Sequence, residues 1–446
     1  MELLLYTWNV NPTESLEADF VGFFVLNYIL GGVLDGKIIF IVLTRFNFII
    51  LQRGMSFMKK VILAFSGGLD TSFCVVYLKE KGYDVVTATI NTGGFDKDEL
   101  LKIEQKSKEL GARNHYNIDV QERIYNDIIQ YVIKLNGLYE DEYPVMCADR
   151  YVISESILEI AKKENTNIIA HGSTAVGNDQ IRFDASFLTL NKDVEILTPI
   201  KELNINREAE IEYLEKRGYS VDSSVKKYSI NENVFGVTAS GSEIDKNLEP
   251  EDEAYKLSSL KSDKTSEYLS IGFESGLPVS LNGESIKGVE LLSKLNKILG
   301  EYGYGDCIYT GDCIIGIKGR LLFEAPGLLA LVRAHKKLEE MVLTKRQIMF
   351  NKLASTNWSD LVYSGLYYEP LVKNIENYID AVQKDVTGTV KIKAIPNAIK
   401  IVEVQSEKSL INEEIAIYAQ ESSWTGTEAN GFIKLHSMQQ RLAAKS

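Results

Sequence analysis

The heptad Ser66-Gly67-Gly68-Leu69-Asp70-Thr71-Ser72 follows an apolar run from Val61 to Phe65 and precedes a helical pattern. Two successive glycines let consecutive backbone N–H groups turn into a concave anion nest, with no Cβ in the way. A helix starting at Asp70 or Thr71 adds the positive end of its dipole, and Ser66, Thr71 and Ser72 supply hydroxyl donors. That is the chemistry of a phosphate cradle. Asp70 suits either a helix cap or a ligand for a phosphate-bound Mg²⁺. A strand-to-helix turn that binds nothing is the plainer reading, but average residue usage makes a chance match on the order of one in ten thousand. The loop has no Lys after its glycines, which separates it from a Walker A loop.

A second group lies between Gly172 and Phe183. If a helix begins near Asn178, then Asn178, Asp179 and Arg182 reach one face. An amide, a carboxylate and a guanidinium converging in this way suit a zwitterionic amino acid, with Asp179 for its ammonium and Asn178 and Thr174 for its carboxylates. The other reading is a capping Asn and a surface ion pair, and the motif alone leaves the two even.

The elements that must position these groups alternate. Residues 60–65, 85–90, 114–119 and 167–171 read as strands, and residues 71–81, 97–110, 121–135 and 149–164 as helices, the signature of a parallel sheet covered by helices. Ligands of such sheets sit beyond the carboxyl ends of the strands, where the loops after Phe65, Ile90 and His171 converge. Beyond about residue 220 the pattern changes. Strand-like segments (314–317, 390–394 and 400–404) mix with long helices such as 328–350, which predicts an α+β domain, and residues 428–444 read as a terminal helix suited to packing on a partner subunit or on its own domain. The fold class expected is therefore α/β: a parallel, doubly wound nucleotide-binding domain (58–222), an α+β domain (223–427) and a C-terminal helical tail (428–446).

The 446 residues carry 49 bases and 62 acids, a net charge of −13. Such a balance argues against a surface that coats nucleic acid. Cys74, Cys147, Cys307 and Cys313 show no CxxC spacing and are too few for a disulfide scaffold, so a reducing, cytoplasmic compartment is expected. His115, His335 and His436 are far apart, and His171 at the crevice is less well motivated than its neighbour Gly172. No metal cluster and no tightly bound cofactor are expected beyond Mg²⁺ as the counter-ion of a bound phosphate.

The glycine loop resembles the pyrophosphate loop of the ATP pyrophosphatases, an adenine nucleotide alpha hydrolase-like class, which implies adenylation rather than phosphorylation. With His171–Phe183, Tyr228–Val234 (YSINENV), Ile315–Pro326 (IGIKGRLLFEAP) and Gly431-Phe432-Ile433-Lys434, the chain resembles the argininosuccinate synthase family over residues 58–446. The resemblance implies a homotetrameric ligase of arginine biosynthesis, with residues 223–427 serving synthesis and multimerisation. ATP would adenylate the ureido oxygen of citrulline and L-aspartate would displace AMP. By position, Ala64, Phe65, Ser66, Gly67, Gly68, Leu69, Asp70, Thr71, Ser72, Ile90 and Gly172 would bind ATP. Thr174, Asn178 and Asp179 would hold aspartate. Tyr143, Asn178, Arg182, Ser229 and Thr238 would hold the citrulline-like acceptor, and Asp70, Asp179 and Arg182 would carry the catalytic charges. No nucleic acid or membrane partner is implied.

Four acceptor positions depart from the family pattern: a serine becomes Ala148, a second serine Thr238, a glutamate Gly311 and a tyrosine Phe323. Losing that carboxylate points to an acceptor with a masked α-amine, such as N-acylated citrulline, or to another carboxylate, with Glu324, Asp306 and Asp312 as candidates, or to a plain repacking of the same site. Cys147 beside this site raises the alternative of a tRNA-thiolating relative, which the lack of a resolving cysteine and the net charge disfavour. A nucleotide-binding module without catalysis would leave the residues from Thr174 to Arg182 unexplained.

The resemblance does not extend to residues 1–57. This segment holds five acids and three bases, so −2 of the charge is here and −11 in the remainder. Its uncharged run 20–34 and its mostly apolar run 38–51 are each shorter than the roughly 18–20 residues of a membrane-spanning helix, and acids rather than bases precede them, unlike a signal peptide. The expectation is a start codon placed too far upstream, with the native chain beginning at Met58 or Met55. N-terminal mass spectrometry of the protein from its own host checks this, and a peptide spanning residues 20–45 would overturn it.

Overall fold

The computed structural model describes residues 58–221 and 227–444, together with three strands nearer the N-terminus, Tyr28–Leu34, Lys37–Leu43 and Phe48–Arg53. Those three pair antiparallel in sequence order and belong to a unit of their own, Met1–Lys59. Residues 60–446 form the second compact unit. The boundary expected near residue 222 falls on 222–226, outside the described residues.

The alternation from Lys60 onward gives a five-stranded, wholly parallel sheet: β1 (Lys60–Ala64), β2 (Asp84–Asn91), β3 (Asn114–Asp119), β4 (Ile168–Ala170) and β5 (Glu195–Leu197), in the order β3-β2-β1-β4-β5. Period-two side-chain alternation makes β1 apolar on both faces. Ile62 joins Val86, Ala88 and Ile90 in one core, and Val61 and Leu63 join Phe65 and Val85 in another. Both faces are therefore covered by helices, as the doubly wound expectation requires. The order reverses between β1 and β4, and at such a switch point the loops diverge and open a crevice. The heptad leaves β1 and the Gly172–Asn178 loop leaves β4 at that place.

Five helices matter for the site: α1 (Leu69–Glu80), α2 (Lys97–Glu109), α5 (Asp149–Lys163), α6 (Asp179–Leu190) and α8 (Arg207–Glu215). Between them, α3 (Gln121–Ile124) and α4 (Gln130–Leu135) are separated by a π-helical turn, Tyr125–Ile129, so the single helix expected over 121–135 carries a bulge. The short α7 (Pro199–Leu203) leads into α8.

Besides a short two-stranded sheet of Ala416–Ile417 and Glu421–Ser422, the C-terminal part supplies two larger antiparallel sheets. One contains β6 (Ser229–Asn233), β7 (Gly236–Ser240), β11 (Asp306–Asp312) and β12 (Lys318–Glu324) in the order β11-β12-β7-β6. The other comprises β8 (Glu267–Glu274), β9 (Leu277–Leu281), β10 (Glu284–Ser285), β13 (Gly388–Ile395) and β14 (Ala398–Gln405) in the order β10-β9-β8-β13-β14. The first sheet is tied to the crevice by polar bonds. Val234 N–H donates to Thr92 O at 2.7 Å, and Asn233 Nδ2 donates to Met146 O and Asp149 Oδ2 at 2.9 and 3.0 Å.

Three further expected elements differ. Residues 314–317 form the turn between β11 and β12 rather than a strand, because Gly316 at φ +86° reverses the chain there. The helix expected over 328–350 is two helices, α10 (Pro326–Val342) and α11 (Lys345–Tyr363), preceded by α9 (Gly288–Gly300). Thr344 takes up an extended conformation between them and forms a capping box with Gln347, so it starts a new helix instead of continuing the old one. After α12 (Pro370–Val382), the expected terminal helix begins earlier, as α13 (Gly426–His436), and breaks at Ser437 before α14 (Met438–Ala443). The Thr344→Ala variant removes one side-chain acceptor from the start of α11. Its midpoint in urea denaturation is expected to fall by the equivalent of about 1 kcal/mol.

Candidate active site

The cradle is shaped by its own short bonds. Gly67 sits at φ +75°, and a Cβ there would come within 2.9 Å of Ile103 Cγ1. Gly68 occupies the N-cap position and α1 starts at Leu69, so Asp70 lies in the first turn and is not the cap. Ser72 Oγ donates to Gly68 O at 2.6 Å and Gly68 N–H donates to Ser66 Oγ at 3.3 Å. Lys106 Nζ reaches across from α2 to Gly67 O at 2.7 Å, placing a cation against the loop. This lysine was not singled out in the sequence, because only the packing of α2 brings it here. The first-turn N–H groups of α1 have no intrahelical acceptor, so the loop presents donors, a dipole and an ammonium together. Ala64 ends β1 and Phe65 follows it, and Thr89 Oγ1 donates to Phe65 O at 2.6 Å just before Ile90. At Gly172 a Cβ would meet Thr71 Cγ2 at 3.3 Å and Asp70 Cβ at 3.4 Å, so its bareness lets the loop after β4 close onto α1.

Asn178 stands at the N-cap of α6, but its side chain caps nothing. Its Nδ2 donates to Tyr363 Oη at 3.2 Å and its Oδ1 accepts from Ile314 N–H at 3.0 Å. The capping-Asn alternative is thereby replaced by a link from α6 to α11 and to the β11–β12 turn. Asp179 accepts from Arg182 Nη1 at 2.9 Å and from Arg150 Nε at 3.0 Å, while Arg150 Nη1 also grips both oxygens of Asp149 at 2.7 and 2.8 Å. Arg182 is 3% exposed, and its Nε donates to Tyr363 O at 3.0 Å. The pair thus joins a buried guanidinium to a carboxylate that is still 37% exposed. Burial would raise the Asp179 carboxyl, but Arg150 and Arg182 outweigh it and hold the group below the ordinary range. At Asp149 burial prevails over Arg150, and the carboxyl is raised. Arg150 was missed in the sequence. Its neighbour Asp149 and its place at the start of a helix are common features, and its partner Asp179 is remote in sequence. Thr174 lies exposed on the loop before α6.

On the acceptor side, Tyr143 is buried and packs against Tyr309, Phe323 and Tyr363 at centroid distances of 5.5, 5.6 and 6.1 Å. Tyr363 stacks on Tyr139 at 3.8 Å. Ser229 is exposed on β6, whereas Thr238 on β7 pairs across the sheet with Phe323. Of the carboxylates proposed from sequence to replace the missing one, Glu324 is already committed. It is buried and accepts backbone N–H bonds from Lys256, Leu257 and Ser258 at 2.8, 2.8 and 2.6 Å. Asp312 pairs with Lys318 at 2.7 Å. Asp306 opens β11 five residues before Gly311, about 16 Å away along the strand.

His171 accepts from Ser173 N–H through Nδ1 and lies 2.8 Å from Asp184 through Nε2, a structural link. Burial pushes the Cys147 thiol up, with Arg182 opposing, so it stays a neutral thiol at neutral pH. Among the described residues no group of three or more His, Cys, Asp or Glu is arranged to hold a metal ion, and no helix is long and apolar enough to cross a membrane.

Two family models match the chain in tandem: the argininosuccinate synthase N-terminal HUP domain over residues 60–220 and the C-terminal domain of the same enzyme over 228–443. The chain belongs to the argininosuccinate synthase family. An argininosuccinate synthase of Xanthomonas campestris pv. campestris is 42% identical over 393 residues, covering 87% of this chain and 98% of its own. One from Pyrococcus furiosus is 41% identical over 389 residues, with 86% and 94% covered. One from Methanocaldococcus jannaschii is 37% identical over 385 residues, with 85% and 97% covered. The family fold agrees with the parallel sheet and with the antiparallel sheets that follow it.

Chemically, the crevice offers an anion cradle at one side of the switch point and, at the other, a charge-balanced Asp–Arg network whose Asp179 still faces the crevice, 37% exposed. Replacing Arg150 by Met would strand Asp149, whose side chain is only 2% exposed. Chemical denaturation is expected to show a loss of about 3 kcal/mol for Arg150→Met. The more exposed Arg123→Met, which breaks bonds to Glu155 and Glu159, serves as the comparison and should cost under about 1 kcal/mol.

Proposed function

We propose that the chain condenses citrulline with L-aspartate at the expense of ATP, releasing AMP and pyrophosphate and forming argininosuccinate. The observation that carries this reading is the convergence, at one switch point, of the phosphate cradle and the Arg150–Asp179–Arg182 network. A urea oxygen is a very poor leaving group. Transfer of the adenylyl group to the ureido oxygen forms an O–P bond and breaks the α–β phosphoanhydride, so pyrophosphate departs into the cradle. The aspartate amine then attacks the ureido carbon, and the C–O bond breaks to release AMP.

Ala64 through Ser72, with Ile90 and Gly172, would hold ATP. Thr174, Asn178 and Asp179 would orient aspartate, and Tyr143, Asn178, Arg182, Ser229 and Thr238 the acceptor. No protein nucleophile is needed, because the attacking amine comes from aspartate. Asp70, Asp179 and Arg182 would act by charge and placement, so catalysis is positioning in a site whose dipoles are already set.

ATP arrives with Mg²⁺, and two carboxylates beside the cradle suit that ion. Glu210 on α8 lies within electrostatic reach of Asp70, and burial followed by the Asp70 charge pushes its carboxyl up to about 8. It is 3% exposed, and its Oε2 has no hydrogen-bond partner in the structure. Asp70 and Glu210 would hold the ion, which when bound offsets phosphate charge. The tail carrying α13 and α14 exposes Tyr418, Phe432, Ile433 and Leu435, an apolar surface that suits docking on another subunit and supports a homotetramer. Four cysteines without disulfides fit a reducing, cytoplasmic setting.

Ureido-¹⁸O-labelled citrulline tests the chemistry. With ATP, aspartate and the labelled acceptor, the oxygen is expected in AMP, one atom per turnover. Unlabelled AMP formed at the same rate as argininosuccinate would refute the adenylation step.

A further inference from the structure

The α-amine of the acceptor needs a counter-charge, and the carboxylates around Tyr143 can be sorted by what already binds them. Asp179 faces two guanidiniums, Asp149 is gripped by Arg150, Asp312 pairs with Lys318, and Glu324 accepts three backbone N–H groups. Glu142 accepts from the Cys307 thiol at 2.8 Å. Glu140 is different. It is exposed at the crevice, and its one recorded hydrogen bond is from a neutral donor, the Tyr309 hydroxyl, at 2.6 Å. Lys318 feels its charge, but the Lys318 ammonium is bonded to Asp312.

Position 311 explains how this carboxylate comes to be where it is. A Cβ on Gly311 would collide with the Tyr309 hydroxyl and would lie 2.5 Å from Glu140 Oε2. Gly311 also pairs with Gly319 across the hairpin, so this stretch of β11 and β12 carries no side chain on either strand. The volume that a residue at 311 would fill is taken by the Tyr309–Glu140 pair. Glu140 itself is held by a tight turn. Both Glu140 and Asp141 adopt positive φ (+52° and +61°), and Tyr139 and Tyr143 bridge around them, with Tyr139 N–H donating to Tyr143 O at 2.7 Å. The Tyr139 ring is stacked on Tyr363, the residue that anchors Asn178 and Arg182. The carboxylate and the Asp–Arg network are thus fixed to one aromatic wall.

We infer that Glu140, oriented by Tyr309 and made possible by the bare backbone at Gly311, receives the α-ammonium of the acceptor, so that the enzyme takes an acceptor with a free, charged α-amine and not an N-acylated one. This rests on the proposed ligase reading and assigns the amine end of its acceptor site. An exposed carboxylate with one neutral partner loses little by gaining an ammonium, and a charge-assisted bond of that kind outweighs the neutral one it joins.

The test compares citrulline with 5-ureidopentanoate, which lacks the α-amine, and with N-acetylcitrulline, in wild-type, Glu140→Gln and Glu140→Asp enzymes, following pyrophosphate release. Wild type is expected to favour citrulline over both analogues in kcat/KM by at least about tenfold. Glu140→Gln should raise the citrulline KM by a similar factor, leave the KM for aspartate and ATP in place, and erase most of the preference over 5-ureidopentanoate, with Glu140→Asp recovering part of it. A Glu140→Gln enzyme with an unchanged citrulline KM, or a wild type that prefers N-acetylcitrulline, overturns the assignment. Wild-type enzyme that releases no pyrophosphate with any of the three acceptors refutes the ligase reading itself, a separate result.

Discussion

The shared carboxylate of Asp179 is the constraint around which the site is built. Two guanidiniums converge on it, and each has a second attachment: Arg150 to Asp149 at the start of α5, and Arg182 to the carbonyl of Tyr363 at the end of α11. The chain Asp149–Arg150–Asp179–Arg182 alternates in sign and sums to zero. This is why Asp149 and Arg182 can be buried while Asp179 stays open to the crevice, since removing isolated charges from water costs several kcal/mol each. Alternation also makes the arrangement indivisible, because deleting any member leaves a neighbour uncompensated. Three helices are therefore fixed to one another at the mouth of the crevice, and Asn178 extends the tie to the β11–β12 turn through Ile314. A reaction that depends on placing three substrates in line requires this rigidity more than it requires a reactive side chain.

What could be read from the sequence was whatever is local. The cradle needs consecutive glycines, hydroxyls and a helix start, all within seven residues, so its chemistry was visible at once. The sheet was visible because β-branched runs alternate with helical periodicity, and the side-chain periods of 2 and 3.6 leave different marks. The expectation failed where a single residue overrides the pattern around it. Residues 314–317 are apolar enough for a strand, but Gly316 turns the chain. Residues 328–350 are helical throughout in propensity, but the Thr344–Gln347 capping box begins a second helix, a signal that was present in the sequence and outweighed by the apolar periodicity.

Partners far apart in the chain were not legible. Lys106 against Gly67, Arg150 against Asp179, and Glu140 against Tyr309 are separated by 39, 29 and 169 positions, and nothing in the neighbourhood of either member announces the other. The same limit explains why Glu324 stands among the candidate replacement carboxylates beside Asp306 and Asp312. It was close in sequence to the altered positions, yet its two oxygens are consumed by three N–H groups of residues 256–258, a use that only tertiary structure reveals. Proximity along a strand is a poor guide to proximity in a pocket, since alternate residues face opposite sides.

An acidic protein that binds a polyanion poses an electrostatic problem. With a net charge of −13, the long-range field repels ATP, and screening reduces that field to short range within about 8 Å at physiological ionic strength. Affinity must come from inside that distance. On the proposed reading the cradle would supply it with groups that add little to the formal charge: N–H donors at the head of α1, two hydroxyls, and one lysine held 2.7 Å from the loop carbonyl. Directed dipoles of this kind act on a phosphate in contact and fade beyond the first turn. An acidic exterior and a phosphate-directed loop are then compatible, because the repulsion acts at long range and the donors act at contact.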